Sequence, residues 1–250
     1  MIRLEVNDIR KNFGGRQVLN GVSFKVNGPE RIGLIGPNGA GKTTLTNVLD
    51  GAIKPTSGTV YLNGKRIDPL PSFKVAQAGF GRTFQVSRAF RRMTVIENLY
   101  VPALALNPTA HRRDFREQAM EVLAFLTIEH LRNEYAQALS GGQLKLLELA
   151  RLLMLDPAIM VLDEPFAGVH PKLIEIILRY IHRVNEAGKA VIIISHDMDT
   201  IFSLSKRLLV LSYGDLIADG DPQVVKKDPT VIEAYLGQDE EDEPVNSQDG

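Results

Sequence analysis

Arg31-Ile-Gly-Leu-Ile-Gly36-Pro37-Asn38-Gly39-Ala40-Gly41-Lys42-Thr43-Thr44 is the stretch that decides the architecture of this chain. Its apolar start reads as a short buried strand ending in glycine. A helix is predicted from Lys42, stopping near Gly51, with Pro55 beyond it. Between them lies the pattern G-x-x-x-x-G-K-[ST]. Glycines let the backbone wrap closely and point its N–H groups inward at phosphate oxygens. Lys42 adds a positive charge for β- and γ-phosphates, and the Thr43 hydroxyl can ligate Mg²⁺. The helix that follows offers its positive N-terminal end. A plain glycine-rich turn would require neither the strand before nor the helix after. Gly36, Pro37, Asn38, Gly39, Ala40, Gly41, Lys42, Thr43 and Thr44 are therefore the candidate phosphate-binding residues, in an α/β fold.

Upstream, Leu4, Val6, Val22, Phe24 and Val26 alternate with polar residues, predicting strands that turn at Gly14-Gly15 and Asn27-Gly28. Downstream, Thr59 to Leu62 reads as a strand followed by an Asn63-Gly64 turn. From about residue 86 to 155 helical periodicity takes over. Ala119, Val122, Leu123 and Leu126 share one helix face, and Leu144, Leu147, Ala150 and Leu155 lie on another. Ile159 to Leu162 and Ala190 to Ile194 then read as buried parallel strands. Leu208 to Ala218 reads as a hairpin. Residues 238–250 are acidic and polar, the composition of a disordered tail.

Composition narrows the function classes. The 250 residues carry 29 Lys plus Arg against 30 Asp plus Glu, so no basic excess points to a nucleic-acid partner. There are no cysteines, which excludes disulfides and thiolate metal sites. The charged start MIRLEVNDIRKNF lacks the apolar core of a signal peptide, and no run of about 18 apolar residues could span a bilayer. A membrane role would need a partner.

Two further segments carry chemistry. Ile159-Met-Val-Leu-Asp163-Glu164 ends a buried strand in adjacent carboxylates. Asp163 is placed to hold Mg²⁺ and Glu164 to polarise an attacking water. Leu139-Ser140-Gly141-Gly142-Gln143 opens a strongly helical run. Ser140 and Gln143 satisfy a capping box, so a good helix start alone could explain them. Two consecutive glycines, however, cost a helix roughly 1 kcal/mol each. They make sense where the backbone must approach something closely, and a helix N-terminus is an anion site.

LSGGQ together with the glycine loop resembles the ATP-binding-cassette (ABC) ATPases along nearly the whole chain. The resemblance implies a P-loop NTPase core with an antiparallel β subdomain and an inserted α-helical subdomain. The ABC ATPase domain would cover 1–237, with the helical subdomain at 86–155. It adds Gln85, in Arg82-Thr-Phe-Gln85, as the glutamine touching Mg²⁺ and the water. It adds His196, after an apolar strand, as the γ-phosphate contact, and Phe13 as the aromatic stacking on adenine. A phenylalanine near a strand end is otherwise usually core. Ser140, Gly141, Gly142 and Gln143 would close on a nucleotide bound by a second ATPase subunit, a homodimer or a paralogous heterodimer. The cofactors implied are ATP and Mg²⁺, and the partners are transmembrane permease subunits. Phe166 and His170 depart from the family, which usually has Ser and Asp or Asn there. Leu144, Leu146 and Leu147 replace residues that are often polar or basic.

The separation of about a hundred residues between glycine loop and LSGGQ is too short for the coiled coils of DNA-repair relatives. Gly81-Arg-Thr-Phe-Gln-Val-Ser-Arg-Ala-Phe90, Met93 to Leu99, and the ending Ile217 to Asp221 with Val231 to Gly237 are similar to branched-chain amino acid importer ATPases. Phe90-Arg91-Arg92 echoes the lipopolysaccharide exporter ATPase, which stands as the alternative, as does a nucleotide sensor without turnover. Arg82, Arg88, Arg91 and Arg92 are read together, either as a solvated face or as a surface turned to the membrane partner. His111, His130 and His182 are read as surface residues.

Overall fold

The computed structural model describes residues 2–84, 88–107, 109 and 111–239. The alternating N-terminal segment forms two twelve-residue strands, β1 (Ile2–Phe13) and β2 (Arg16–Asn27), paired antiparallel across Gly14-Gly15. The apolar run is β3 (Arg31–Ile35), and the helix after the glycine loop is α1 (Lys42–Leu49). β4 (Ser57–Leu62) and β5 (Lys65–Arg66) turn at Asn63-Gly64, where both residues have positive φ. α2 (Ser72–Gln77) then leads into β6 (Phe80–Arg82).

Helices dominate the next stretch: α3 (Val95–Leu106), α4 (Arg116–Phe125) and α5 (Gly141–Leu155). Strands return with β7 (Ile159–Asp163), followed by α6 (Pro171–Glu186), β8 (Ala190–Ile194) and α7 (Met198–Leu204). β9 (Arg207–Ser212) and β10 (Asp215–Gly220) form the expected hairpin, and α8 (Pro222–Val225) and α9 (Pro229–Asp239) follow. α9 thus continues past 237. Residues 240–250 of the anticipated tail lie outside the described residues, and so does Gln85.

Two sheets result. One is antiparallel, in the order β2-β1-β4-β5; the other runs β10-β9-β3-β8-β7-β6, parallel except for the edge strand β10. The parallel sheet is buried on both faces, and the strand residues show how. In β7, Met160 and Leu162 enter the core shared with the helices, whereas Ile159 and Val161 enter the core shared with the antiparallel sheet. Val191 and Ile193 of β8 make the same division against Ala190, Ile192 and Ile194. Continuous β-branched runs are the sequence form of such strands, since both faces need apolar cover.

α5 packs against α3 and α4. Leu146 and Leu147 are fully buried in that contact and Leu144 packs at its edge, which explains why apolar residues stand where the resemblance has polar ones. Phe166 likewise fills the core, and His170 caps α6 by accepting a hydrogen bond from the Lys172 N–H at Nδ1. The reading of four clustered surface arginines needs correction at Arg82. Arg88, Arg91 and Arg92 are exposed, but the Arg82 side chain is 5% exposed and ion-paired inside the molecule. The sequence places it beside the others; β6, lying next to β7, turns it inward. His111, His130 and His182 are exposed as expected, although the His182 ring lies 2.6 Å from the Arg31 guanidinium.

Candidate active site

Ligands of open α/β sheets collect at the carboxyl ends of the strands. Here β3 runs into the glycine loop, β7 into Asp163 and Glu164, and β8 into Ser195 and His196, all at one end of the parallel sheet. Register makes this concrete: Ile194 stands opposite both Leu34 and Asp163.

The glycine loop is held by its neighbours. Gly36 has φ +148°, and a Cβ there would meet the Leu211 carbonyl of β9 at 2.0 Å, so no other residue fits. Gly41 sits at φ +103° as the N-cap of α1, with no side-chain cap. The first N–H groups of α1 are therefore left for a ligand rather than consumed by a capping residue. Lys42 Nζ donates to the carbonyls of Gly36 at 2.5 Å and Pro37 at 2.8 Å. Burial lowers the Lys42 pKa from its ordinary value, and the carboxylates of Glu164 and Asp163 oppose that shift.

The carboxylates occupy different settings. Asp163 is buried; its N–H donates to the Thr83 hydroxyl at 3.0 Å and its Oδ2 accepts from Arg82 at 2.8 Å. Glu164 takes φ +49°, a left-handed conformation that costs a non-glycine residue about 1 kcal/mol or more. Two hydrogen bonds hold it there: its N–H donates to the Ile194 carbonyl at 2.8 Å, and its own carbonyl accepts from Lys145. Its Oε2 lies 3.0 Å from His196 Nδ1, and the His196 ring is largely exposed. Burial lowers the Lys145 pKa, against the pull of Glu164, Glu148 and Asp163.

A cavity of about 1000 Å³ joins these groups. Its walls hold Phe13, the loop from Gly36 to Thr44, Asp163, Glu164 and His196, so most of the sequence-predicted site converges on one space. Phe13, at the end of β1, is 48% exposed rather than core, with Lys11 Nζ 4.9 Å from its ring centre. An exposed aromatic at one end and a ring of N–H donors at the other match the two ends of an adenine nucleotide. The donors also suit Mg²⁺. Thr43 lies in the first turn of α1 and Asp163 closes β7, both are oxygen ligands, and among the described residues no group of three or more acidic, His or Cys side chains is arranged to hold a metal ion unaided. Mg²⁺ is typically held by one or two carboxylates together with substrate phosphates, and this set fits that habit.

Ser140, Gly141, Gly142 and Gln143 do not line the cavity. They start α5 on an exposed part of the surface, with the capping box formed: the Gln143 N–H donates to Ser140 Oγ, and the Ser140 N–H to Gln143 Oε1. A Cβ at Gly142 would press on the Leu173 methyl, whereas one at Gly141 would meet nothing within 4 Å. The chain's own fold therefore gives no reason for glycine at 141.

Sequence reasoning missed Arg82, Lys145 and Tyr235. Tyr235, on α9, lines the cavity beside the glycine loop, and burial pushes its hydroxyl up to about 12, opposed by a hydrogen bond with the Gly36 backbone. None of the three belongs to a local pattern; each reaches the site only through packing of distant elements.

Comparison with known proteins agrees with this arrangement. The sequence profile of the ABC transporter family matches residues 19–167. A second profile, for the branched-chain amino acid ATP-binding cassette transporter, matches residues 216–241. The high-affinity branched-chain amino acid transport ATP-binding protein BraF of Pseudomonas aeruginosa is 40% identical over 250 residues, covering 94% of this chain and 98% of BraF. The lipopolysaccharide export system ATP-binding protein LptB of Haemophilus influenzae is 36% identical over 235 residues, covering 94% and 97%. Among solved structures, the ADP conformation of MJ1267, an ATP-binding cassette of an ABC transporter, superposes with a TM-score of 0.84 at 36% identity, covering 95% of this chain and 99% of that one. The chain belongs to the ABC transporter family and is one of its ATP-hydrolysing cassettes.

Proposed function

We propose that this cassette is the motor subunit of a branched-chain amino acid importer, bound to transmembrane permease subunits at the inner face of the cell membrane. The match of residues 216–241 to the importer cassettes and the 40% identity to BraF support the substrate class over lipopolysaccharide export. No helix among the described residues is long and apolar enough to cross a membrane, in keeping with permease partners that supply the pathway.

The chemistry follows from the cavity. The N–H groups from Gly36 to Thr44 and the Lys42 ammonium grip the phosphates; Lys42 exchanges its two loop carbonyls for phosphate oxygens, which are stronger acceptors for a cation. Phe13 stacks on adenine. Thr43, Asp163 and Gln85 would hold Mg²⁺, which would supply charge neutralisation for the phosphates. Glu164, at the cavity wall, orients and deprotonates water, and His196, 3.0 Å from it, steadies the γ-phosphate. Ser140, Gly141, Gly142 and Gln143 of a second subunit complete the site from outside. ATP then favours a closed dimer, and hydrolysis removes that preference.

The observation that carries this reading is the meeting of Lys42, Asp163, Glu164 and His196 in one cavity from which the signature residues are missing. The test compares steady-state phosphate release and native mass with ATP and Mg²⁺ for wild type and Glu164→Gln. The variant is expected to bind ATP, lose about 10²- to 10⁴-fold in turnover and accumulate as an ATP-bound dimer. Wild-type rates in Glu164→Gln would remove Glu164 from its role. A wild-type protein that binds ATP without turnover, even with permease added, would favour a sensor.

A further inference from the structure

Arg82 ends β6, the edge strand three positions from β3 in the sheet, yet it ties the helix after the glycine loop to the site. Its Nη1 donates to Asn47 Oδ1 at 2.6 Å and to Asp50 Oδ2 at 3.1 Å, and its Nη2 donates to Asp163 Oδ2 at 2.8 Å. Asn47 stands four residues after Thr43 on α1, so the two share a helix face. Asp50 caps the end of the same helix. The planar guanidinium thus bridges the element that carries Thr43 and the strand end that carries Asp163. The charges also sum usefully. One buried cation stands against two buried carboxylates, leaving one negative charge beside the cavity, where a divalent cation is to be held with help from phosphates.

We propose that Arg82 is a positioning residue for the metal: it sets the Asp163 carboxylate at a fixed place relative to Thr43 and keeps Asp50 from competing with it. This rests on the assignment of Thr43 and Asp163 to Mg²⁺ made above. Outer partners that orient a ligand typically govern metal affinity by 10- to 100-fold. The arginine performs this through geometry. A neutral side chain of similar size leaves Asp50 and Asp163 facing each other with no cation between them, and both carboxylates are then driven from their present rotamers.

The experiment measures Mn²⁺ binding by electron paramagnetic resonance to the ATP-loaded protein, in a Glu164→Gln background so that nucleotide persists, with ATP affinity in EDTA as the second readout. Arg82→Met is expected to weaken Mn²⁺ about tenfold while ATP affinity in EDTA stays within about twofold. Arg82→Lys recovers part of the loss, because a point charge replaces the fork. Asn47→Ala, which keeps both ion pairs and so the fold, is expected to weaken Mn²⁺ roughly threefold. Unchanged or tighter Mn²⁺ binding in Arg82→Met overturns the proposal, since the arginine would then be only a scaffold or a competing charge. If Arg82→Met does not fold, an unchanged Mn²⁺ affinity in Asn47→Ala overturns it instead. Failure of the Glu164→Gln parent itself to bind Mn²⁺ with ATP would remove the metal assignment, and this inference with it.

Discussion

Two helices in this molecule begin with glycine-rich segments, and they begin in opposite ways. α1 starts from Gly41 in a left-handed conformation with no side-chain cap, inside a cavity lined by its own chain. α5 starts from Ser140 with a complete capping box, on the exposed surface and apart from that cavity. The first leaves its N–H groups open because the ligand is to be gripped within the subunit. The second engages its Ser140 and Gln143 N–H groups in the capping box and leaves those of Gly141 and Gly142 for something that arrives from outside. The glycines differ in the same sense. Gly36 is demanded by contact with the Leu211 carbonyl, whereas Gly141 answers to no contact in its own chain. One helix start is thus explained by the chain's own fold and the other is not, and the unexplained one is what a second subunit would account for.

Substitutions at three positions break or sharpen that contrast. The largest effect is expected at the self-contained end. Lys42→Ala removes a charge-assisted grip worth about 1.5–3 kcal/mol, so ATP affinity of the isolated subunit should fall roughly 10- to 100-fold. Calorimetric titration of the monomer checks this, and an unchanged affinity would deny α1 its role. Phe13→Ala is next. Stacking on a base is worth about 1–3 kcal/mol, so affinity should fall about tenfold, with Phe13→Tyr close to wild type. Competition between ATP and inorganic triphosphate sharpens the reading, because loss of triphosphate binding as well would mean that the ring supports the loop rather than the base. The smallest effect is at the other helix. Gly141→Ala should stabilise α5 by a few tenths to about 1 kcal/mol, since glycine is a poor helix former. The same change should weaken ATP-driven dimerisation of the Glu164→Gln protein, as read by native mass. A stabilised variant that dimerises as well as its parent would make Gly141 an ordinary surface residue.

Much of the site was legible in the chain because its chemistry is written in short contiguous segments. Gly36 to Thr44 and Asp163-Glu164 each follow an apolar run, and a strand that delivers a side chain to its carboxyl end needs only local sequence to be recognised; His196 also follows such a run but is singled out by the family resemblance. Phe13 was harder, since an aromatic at a strand end is as readily buried as exposed; its place at the tip of the β1–β2 hairpin leaves it open to the cavity. Arg82 was misread for a physical reason. In sequence it stands near Arg88, Arg91 and Arg92, but its partners are Asn47, Asp50 and Asp163, up to 81 residues away. Lys145 reaches the Glu164 carbonyl only because α5 packs beside the end of β7. Tyr235 meets the glycine loop only because α9 folds back on the cavity.

By itself, then, the sequence determined the α/β class, the phosphate loop and the paired carboxylates, because each depends on backbone demands and periodicities that act over a few residues; the family came from the resemblance of its motifs. Tertiary structure alone decided which charges face one another. It put Arg82 between two carboxylates, set Glu164 in a left-handed turn held by Ile194 and Lys145, and kept Ser140 to Gln143 away from their own cavity. Those outcomes depend on the order of strands in the sheet and on how helices cover it. Contacts between residues 19 to 81 positions apart leave no mark on the local pattern of either segment.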